Sequence, residues 1–398
     1  MQSVSSSFLI GSVGTHKMQD FLFSDLVTAY KKCRQGKKPS NAQIRFESRL
    51  GNELLTLFEE IKRKSYQPKP YHCFSVTHPK PREIFAAHFR DRLIHHCILE
   101  KLEHSWEKRF FAYSFACRKN LGPLKAVSHL QKKAQILLRS HEKRLFVLQL
   151  DIASFFVSIH RPTLKTLLLQ GLNPHSELAY LIRAVFDPVP QKNVSSTFGL
   201  KRELIPFEKS LFNRPDEFGL PIGNLTSQFG ANVYLNALDH FIARRLRPEG
   251  YLRYMDDLTL LGTSCENLSK MINPIDDFLF KTRFLRLNPK KTTLTSPREK
   301  PIFYLGFSLR ETHNQLQITL PAKKKWNFIR ALRAQENWTF PQFHVPHPLS
   351  FSLQRKDYQK VHSKVAAHLG YLKKASTYRF RKQASLYALP EVKLLLAD

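Results

Sequence analysis

Three carboxylates carry the first chemical signal in this chain. Asp151 closes the apolar run "LFVLQL", while Asp256 and Asp257 lie together within "YLRYMDDLTLLG". Strand ends of one sheet can bring such groups together, and like charges at close range raise each other's pKa unless a cation separates them. Mg²⁺ suits such a cluster, because it prefers oxygen ligands, uses few carboxylates and completes its shell with water and phosphate. Two such ions can activate an attacking hydroxyl and stabilise a leaving oxygen in nucleotidyl transfer. Taken singly, an Asp-Asp hairpin tip or an acid at a strand end is an ordinary solvating feature. Both together, on a strongly basic chain, favour metal-assisted chemistry.

Periodicity supplies the elements that must position these groups. "KRLFVLQLD" reads as an apolar strand, and "YLRYMDDLTLLG" as two short strands around an acidic turn. Residues 21–66 read as helices, in "FSDLVTAYKKCR" and "FESRLGNELLTLFEEIKRK". Prolines in "YQPKPYHCFSVTHPKPREIFAAH" bracket short β-prone runs, whereas "FRDRLIHHCILEKLEHSWEKRFF" and "SQFGANVYLNALDHFIARRL" return to helical spacing. A polar, Pro-containing stretch at about 186–218 precedes "LPIGNLTSQ", whose Pro and small residues suit close approach of another group. The last 90 or so residues mix Lys, Arg, His and aromatics with helix-like apolar spacing, as in "KVAAHLGYLKKASTY".

Charge narrows the partner. The chain has 398 residues, 63 of them Lys or Arg against 32 Asp or Glu, for a net charge of +31. Such a surplus attracts polyanions, and nucleic acid leads because neutralised phosphates release counterions. Five scattered cysteines without a C-x-x-C pair argue against a disulfide framework or zinc site and suit a reducing cytosol. The N-terminal "MQSVSSSFLIGSVGTHK" lacks a signal-peptide pattern, and no run of about 18 apolar residues could span a bilayer. The expectation is a cytoplasmic protein with no membrane partner.

The words around the carboxylates resemble those of reverse transcriptases, from about residue 20 to the C-terminus. "YMDD" is the hallmark of that family, and "LDIASFFVSIH", "GLPIGNLTSQ" and "RYMDD" resemble its palm motifs in the right order. The resemblance implies that Asp151 and Asp256 are ligands of two Mg²⁺ ions and that Asp257 completes the cluster. "LNPKKT" resembles the motif whose lysine is thought to protonate pyrophosphate, which points to Lys291, with Lys290 close behind. "YLGF", comprising Tyr304, Leu305, Gly306 and Phe307, resembles the primer grip. Phe156 lies where the family carries an aromatic steric gate that leaves no room for a ribose 2′-hydroxyl, implying dNTP substrates; one of Phe155 and Phe156 is also expected to fill the core. "HPKPREIFAAHFRDRL" resembles the fingers motif, which implies that Lys80 and Arg82 meet the triphosphate, while Arg90 and Arg92 serve as scaffold or template contacts.

The pair Ile222-Gly223, followed by Ser227-Gln228, replaces the Gln-Gly and Ser-Pro of most reverse transcriptases. This variant resembles diversity-generating retroelements and related bacterial reverse transcriptases that act in antiphage defence. In the family the residue before the glycine lies near the incoming nucleotide, so Ile222 is a candidate for setting fidelity; packing within the palm is the other reading. The 186–218 segment is longer than in compact diversity-generating enzymes and keeps the two biological readings nearly level. The first implies a basic oligomeric accessory protein and a template-repeat RNA. The second implies a noncoding RNA and a companion defence reverse transcriptase.

The expected fold is α+β, a right-hand polymerase. It comprises an N-terminal helical region at 1–66, helical fingers at 67–140, an α+β palm with an antiparallel sheet at 141–308, and a basic helical thumb at 309–398. The expected activity is RNA-directed DNA synthesis from dNTPs on a structured template RNA, giving a cDNA product. With about 90 residues after Gly306, RNA removal or integration is expected to come from partners. A catalytically idle RNA-binding scaffold is the alternative from a different functional class.

Overall fold

The structure, a computed structural model, describes residues 21–36, 39–141, 144–327 and 330. Most of the expected thumb, including Tyr371 and Tyr378, lies outside the described residues. Ten strands form three sheets among the described residues: β1 (Tyr71–Val76), β2 (Arg82–Ala86), β3 (Phe146–Asp151), β4 (Val194–Ser196), β5 (Gly250–Tyr254), β6 (Asp257–Gly262), β7 (Thr293–Thr295), β8 (Ile302–Tyr304), β9 (Phe307–Thr312) and β10 (Gln315–Thr319). The chain divides into two compact units, one drawn from 21–112, 152–241 and 274–288, the other from 113–151, 242–273 and the described residues from 289 onward.

In the second unit, β5, β6, β3 and β7 form an antiparallel sheet in that order. The runs "FVLQLD" and "DLTLLG" are rich in Leu and are buried along most of their length, as strands covered on both faces must be. Helix Pro123–His141 lays Ala126, Val127, Leu130, Ala134, Leu137 and Leu138 into the same core as Val147, Leu252 and Leu261. Their three- and four-residue spacing makes one apolar stripe. The same core takes in Ile302, Tyr304, Phe307, Leu309, Leu316 and Ile318 of the β10-β9-β8 sheet. Two-residue turns link these strands: Leu305-Gly306 at φ 46° and 86°, and His313-Asn314 at 52° and 56°. Positive φ at both central residues matches the right-handed twist of a hairpin. Thus β9 and β10 occupy the stretch expected to open a helical thumb.

In the first unit, helix Phe89–Glu107 is buried by Phe89, Leu93, Ile94, Cys97, Ile98 and Leu102 and packs against helices Phe23–Arg34 and Leu225–Phe241. The single helix expected from "FESRLGNELLTLFEEIKRK" is two, Asn41–Glu47 and Leu50–Lys62. At the break, the Ser48 hydroxyl donates to the Arg45 carbonyl at 2.8 Å, a local bond that competes with helix continuation. The β1–β2 hairpin gains a third strand from the 186–218 segment, whose β4 runs parallel to β1. Tyr71 N–H donates to Asn193 O at 2.8 Å and Ser75 N–H to Gly199 O at 3.1 Å. Glu83, 3% exposed, anchors the far end of the segment, accepting from Ser210 Oγ at 2.6 Å and from Leu211 N–H at 2.8 Å. The segment is therefore part of this sheet's framework.

Candidate active site

The second unit builds the carboxylate cluster from strand register. Asp151, last residue of β3, stands directly opposite Asp257, first residue of β6. Asp257 also pairs with Tyr254 across the hairpin, leaving Met255-Asp256 as a two-residue turn. Met255 takes φ 57°, a left-handed conformation that costs an L-residue roughly 1–2 kcal/mol. Arg253 supports it from below: fully buried, its Nη1 donates to the Met255 carbonyl at 2.9 Å. The Arg253 backbone is pinned as well, by Phe115 N–H at 2.9 Å and by the Tyr113 carbonyl at 3.0 Å. The motifs alone assign Arg253 no role, although a charge inside the apolar run "YLRY" was the available signal.

Burial, then the neighbouring Asp256 and Asp151 carboxylates, push Asp257 up from the usual 3.8 to about 7. Lys291 opposes that rise. The Lys291 ammonium donates to both oxygens of Asp151 at 2.7 Å each, from the short Pro289–Lys291 turn. Tyr304 is buried nearby, its phenol pushed up by burial and then by Asp257 and Tyr254. As they stand, no three or more His, Cys, Asp or Glu among the described residues are arranged to hold a metal ion. The donor chemistry nevertheless fits a hard divalent cation: three carboxylates meet at one end of the sheet, and burial together with their mutual repulsion raises the proton affinity of Asp257.

The primer-grip candidates Leu305, Gly306 and Phe307, like Lys290, belong to the second unit, and the nucleotide-contact candidates lie in the first. Phe155 is buried at 3% exposure and fills the core, while Phe156 is half-buried. The Phe156 carbonyl accepts from Leu220 N–H at 2.8 Å, which fixes the ring's backbone beside "LPIGNLTSQ". Ile222 is half-buried, and its carbonyl accepts from Phe85 N–H of β2 at 2.9 Å. Gly223 sits at φ 116°, and a Cβ there would lie 3.0 Å from Ile84 Cγ2 and 3.4 Å from Phe85 O. The close approach that the small residues permit is therefore made, in the first instance, by β2. Lys80 and Arg82 are exposed around the 77–81 loop of the β1–β2 hairpin. Arg90 is committed elsewhere, paired with Glu60 and lying over the Tyr66 ring, and Arg92 donates to Ala87 O at 2.9 Å. Both are scaffold residues.

Residues 76–309 match the family model described as "Reverse transcriptase (RNA-dependent DNA polymerase)". The chain belongs to that family. The matched span contains every candidate residue named above, and the reverse transcriptase has the mixed α/β right-hand polymerase fold with antiparallel sheets. Among solved structures it is similar to telomerase from Candida albicans, determined in complex with a TWJ fragment of telomeric RNA, at 13% identity and a TM-score of 0.44. That likeness covers 94% of this chain and 63% of the telomerase chain. Comparison with curated proteins gives no match. No described helix of the reverse transcriptase is long and apolar enough to cross a membrane.

Proposed function

We propose that this reverse transcriptase copies a structured RNA into cDNA, with Asp151, Asp256 and Asp257 as the ligands of two Mg²⁺ ions. The observation that carries the reading is the register pair Asp151–Asp257 beside the Asp256 turn, with Lys291 against it. Divalent ions held there would supply activation of the primer hydroxyl and neutralisation of the leaving pyrophosphate. Lys291, with Lys290 next to it, is the proton donor to pyrophosphate. Arg82 offers its guanidinium fork, and Lys80 its ammonium, to the triphosphate. The half-exposed Phe156 ring excludes a 2′-hydroxyl, and Tyr304, Leu305, Gly306 and Phe307 hold the primer end. We assign the N-terminal helical region, fingers, palm and thumb the boundaries expected from the sequence, with the 186–218 segment serving the fingers sheet.

The biological setting we propose is a diversity-generating retroelement or a bacterial antiphage defence system, with a basic oligomeric accessory protein or a companion reverse transcriptase as partner. Support for a protein partner comes from the 186–218 segment. It balances five basic against five acidic residues in a chain of net +31, and it exposes Phe198 and Phe207 at 85% and 75%. Exposed aromatics on a charge-balanced surface suit a protein interface better than a phosphate backbone.

The test is a primer-extension assay on an RNA template. Asp256→Ala with Asp257→Ala should abolish synthesis, by at least about a thousandfold, while RNA binding persists. DNA synthesis retained in that double variant would refute the assignment. A wild-type chain that binds RNA but extends no primer with any divalent ion would favour the idle-scaffold alternative.

A further inference from the structure

Lys291 is paired with Asp151, the carboxylate that closes β3. Its Nζ is 2.7 Å from both carboxylate oxygens, a symmetric contact that engages the two atoms a cation would also use. The partners differ in freedom. The Asp151 side chain is 11% exposed and held at the end of a central strand, whereas that of Lys291 is 49% exposed on a three-residue turn. A long, flexible, half-exposed ammonium can swing away at little cost, but the carboxylate cannot.

We propose that Lys291 is the built-in counter-ion of the metal-free carboxylate cluster, and that it must leave Asp151 before a divalent cation can take the same oxygens. This inference rests on the reading of Asp151, Asp256 and Asp257 as ligands. The exchange moves no proton and breaks no covalent bond: the ammonium leaves charged, and the carboxylate stays ionised. Its consequence is an order of events. While Lys291 holds Asp151 it is withheld from any phosphate. Once displaced, it is repelled by the incoming cation and becomes available to a polyphosphate above the site. Metal loading and delivery of the lysine are thereby coupled through one residue.

The experiment is a Mn²⁺ titration of the full chain, followed by electron paramagnetic resonance, with neither nucleotide nor RNA present. Lys291→Met removes the competitor and should tighten Mn²⁺ binding about threefold to tenfold, the scale of a half-exposed ion pair plus relief of cation repulsion. Lys291→Arg keeps a competing cation and should stay within about a factor of two of wild type. Lys291→Gln is the second neutral variant, and thermal melts check that each protein is folded. Asp151→Asn run in parallel separates the two ideas. If Asp151→Asn loses Mn²⁺ but Lys291→Met and Lys291→Gln bind as wild type does, the counter-ion proposal is overturned and the ligand reading stands. If Mn²⁺ binding survives Asp151→Asn and Asp257→Asn unchanged, both fail.

Discussion

Two β-hairpins of this reverse transcriptase carry charged site candidates, and they hold them in opposite ways. The β5–β6 hairpin lies within a four-stranded sheet, closes with a two-residue turn and rests on a fully buried arginine. Its acids interact electrostatically with each other and with Asp151 of β3, to which Lys291 donates. The β1–β2 hairpin ends instead in an exposed loop from 77 to 81, with Lys80 and Arg82 in solvent. On the proposed reading the first hairpin holds ligands for a small cation, which must be fixed to within fractions of an ångström, and a tight, buried turn suits that. On the same reading, Lys80 and Arg82 greet a hydrated, multiply charged triphosphate, and exposure would give them reach and adaptability. Below that loop the second hairpin is tied down, by the β4 pairing and by Glu83, which accepts from Ser210 and Leu211.

The contrast can be broken at its exposed end first. Arg82→Ala should lower kcat/KM for dNTPs about a hundredfold, mostly through KM, with Arg82→Lys recovering part of the loss. Steady-state primer extension measures this, and an unchanged KM would remove Arg82 from the substrate. In β2 of the same hairpin, Glu83→Ala leaves a buried hydroxyl and a backbone N–H without their acceptor and should destabilise by about 1–3 kcal/mol in chemical denaturation. If stability is unaffected, the 186–218 segment is not anchored as described.

The rigid hairpin is sharpened by pH. Asp257 has a folded pKa of about 7 against an ordinary 3.8, so the folded chain binds the extra proton throughout that window. Without divalent metal, this group's contribution to stability therefore falls as pH rises from about 4 to about 7, then levels off. Asp257→Asn should flatten that part of a melting-temperature profile; an identical profile in the variant would show that burial of this carboxylate, and its repulsion by Asp256 and Asp151, are not felt by the fold. The smallest expected effect is at Ile222. Ile222→Gln should change the cDNA error spectrum a few-fold, on the scale of one added hydrogen bond. Deep sequencing of products that finds no change would return Ile222 to a packing role.

Much of this molecule was legible because it depends on neighbours in sequence. Apolar periodicity gave the 89–107 and 225–241 helices, and alternating prolines and β-formers gave β1 and β2. The acids at the end of "LFVLQL" and within "YMDD" were visible as chemistry before any fold was known, since residue type alone limits what they can bind. The two phenylalanines after Asp151 could be named but not told apart. Only packing makes Phe155 core and leaves Phe156 half-exposed.

What the tertiary structure alone decided are the relations between distant segments. Strand register, set by which face each side chain must bury, places Asp151 opposite Asp257. The Lys291–Asp151 contact joins residues 140 positions apart, and no local propensity encodes it. The 186–218 stretch reads as a polar insertion, yet its backbone completes a sheet because β1 offered an unpaired edge. Gly223 shows the division most clearly. The sequence announced that something must come close there, and the fold determined that it is first of all β2, packed against the glycine where a Cβ would not fit without displacing Ile84.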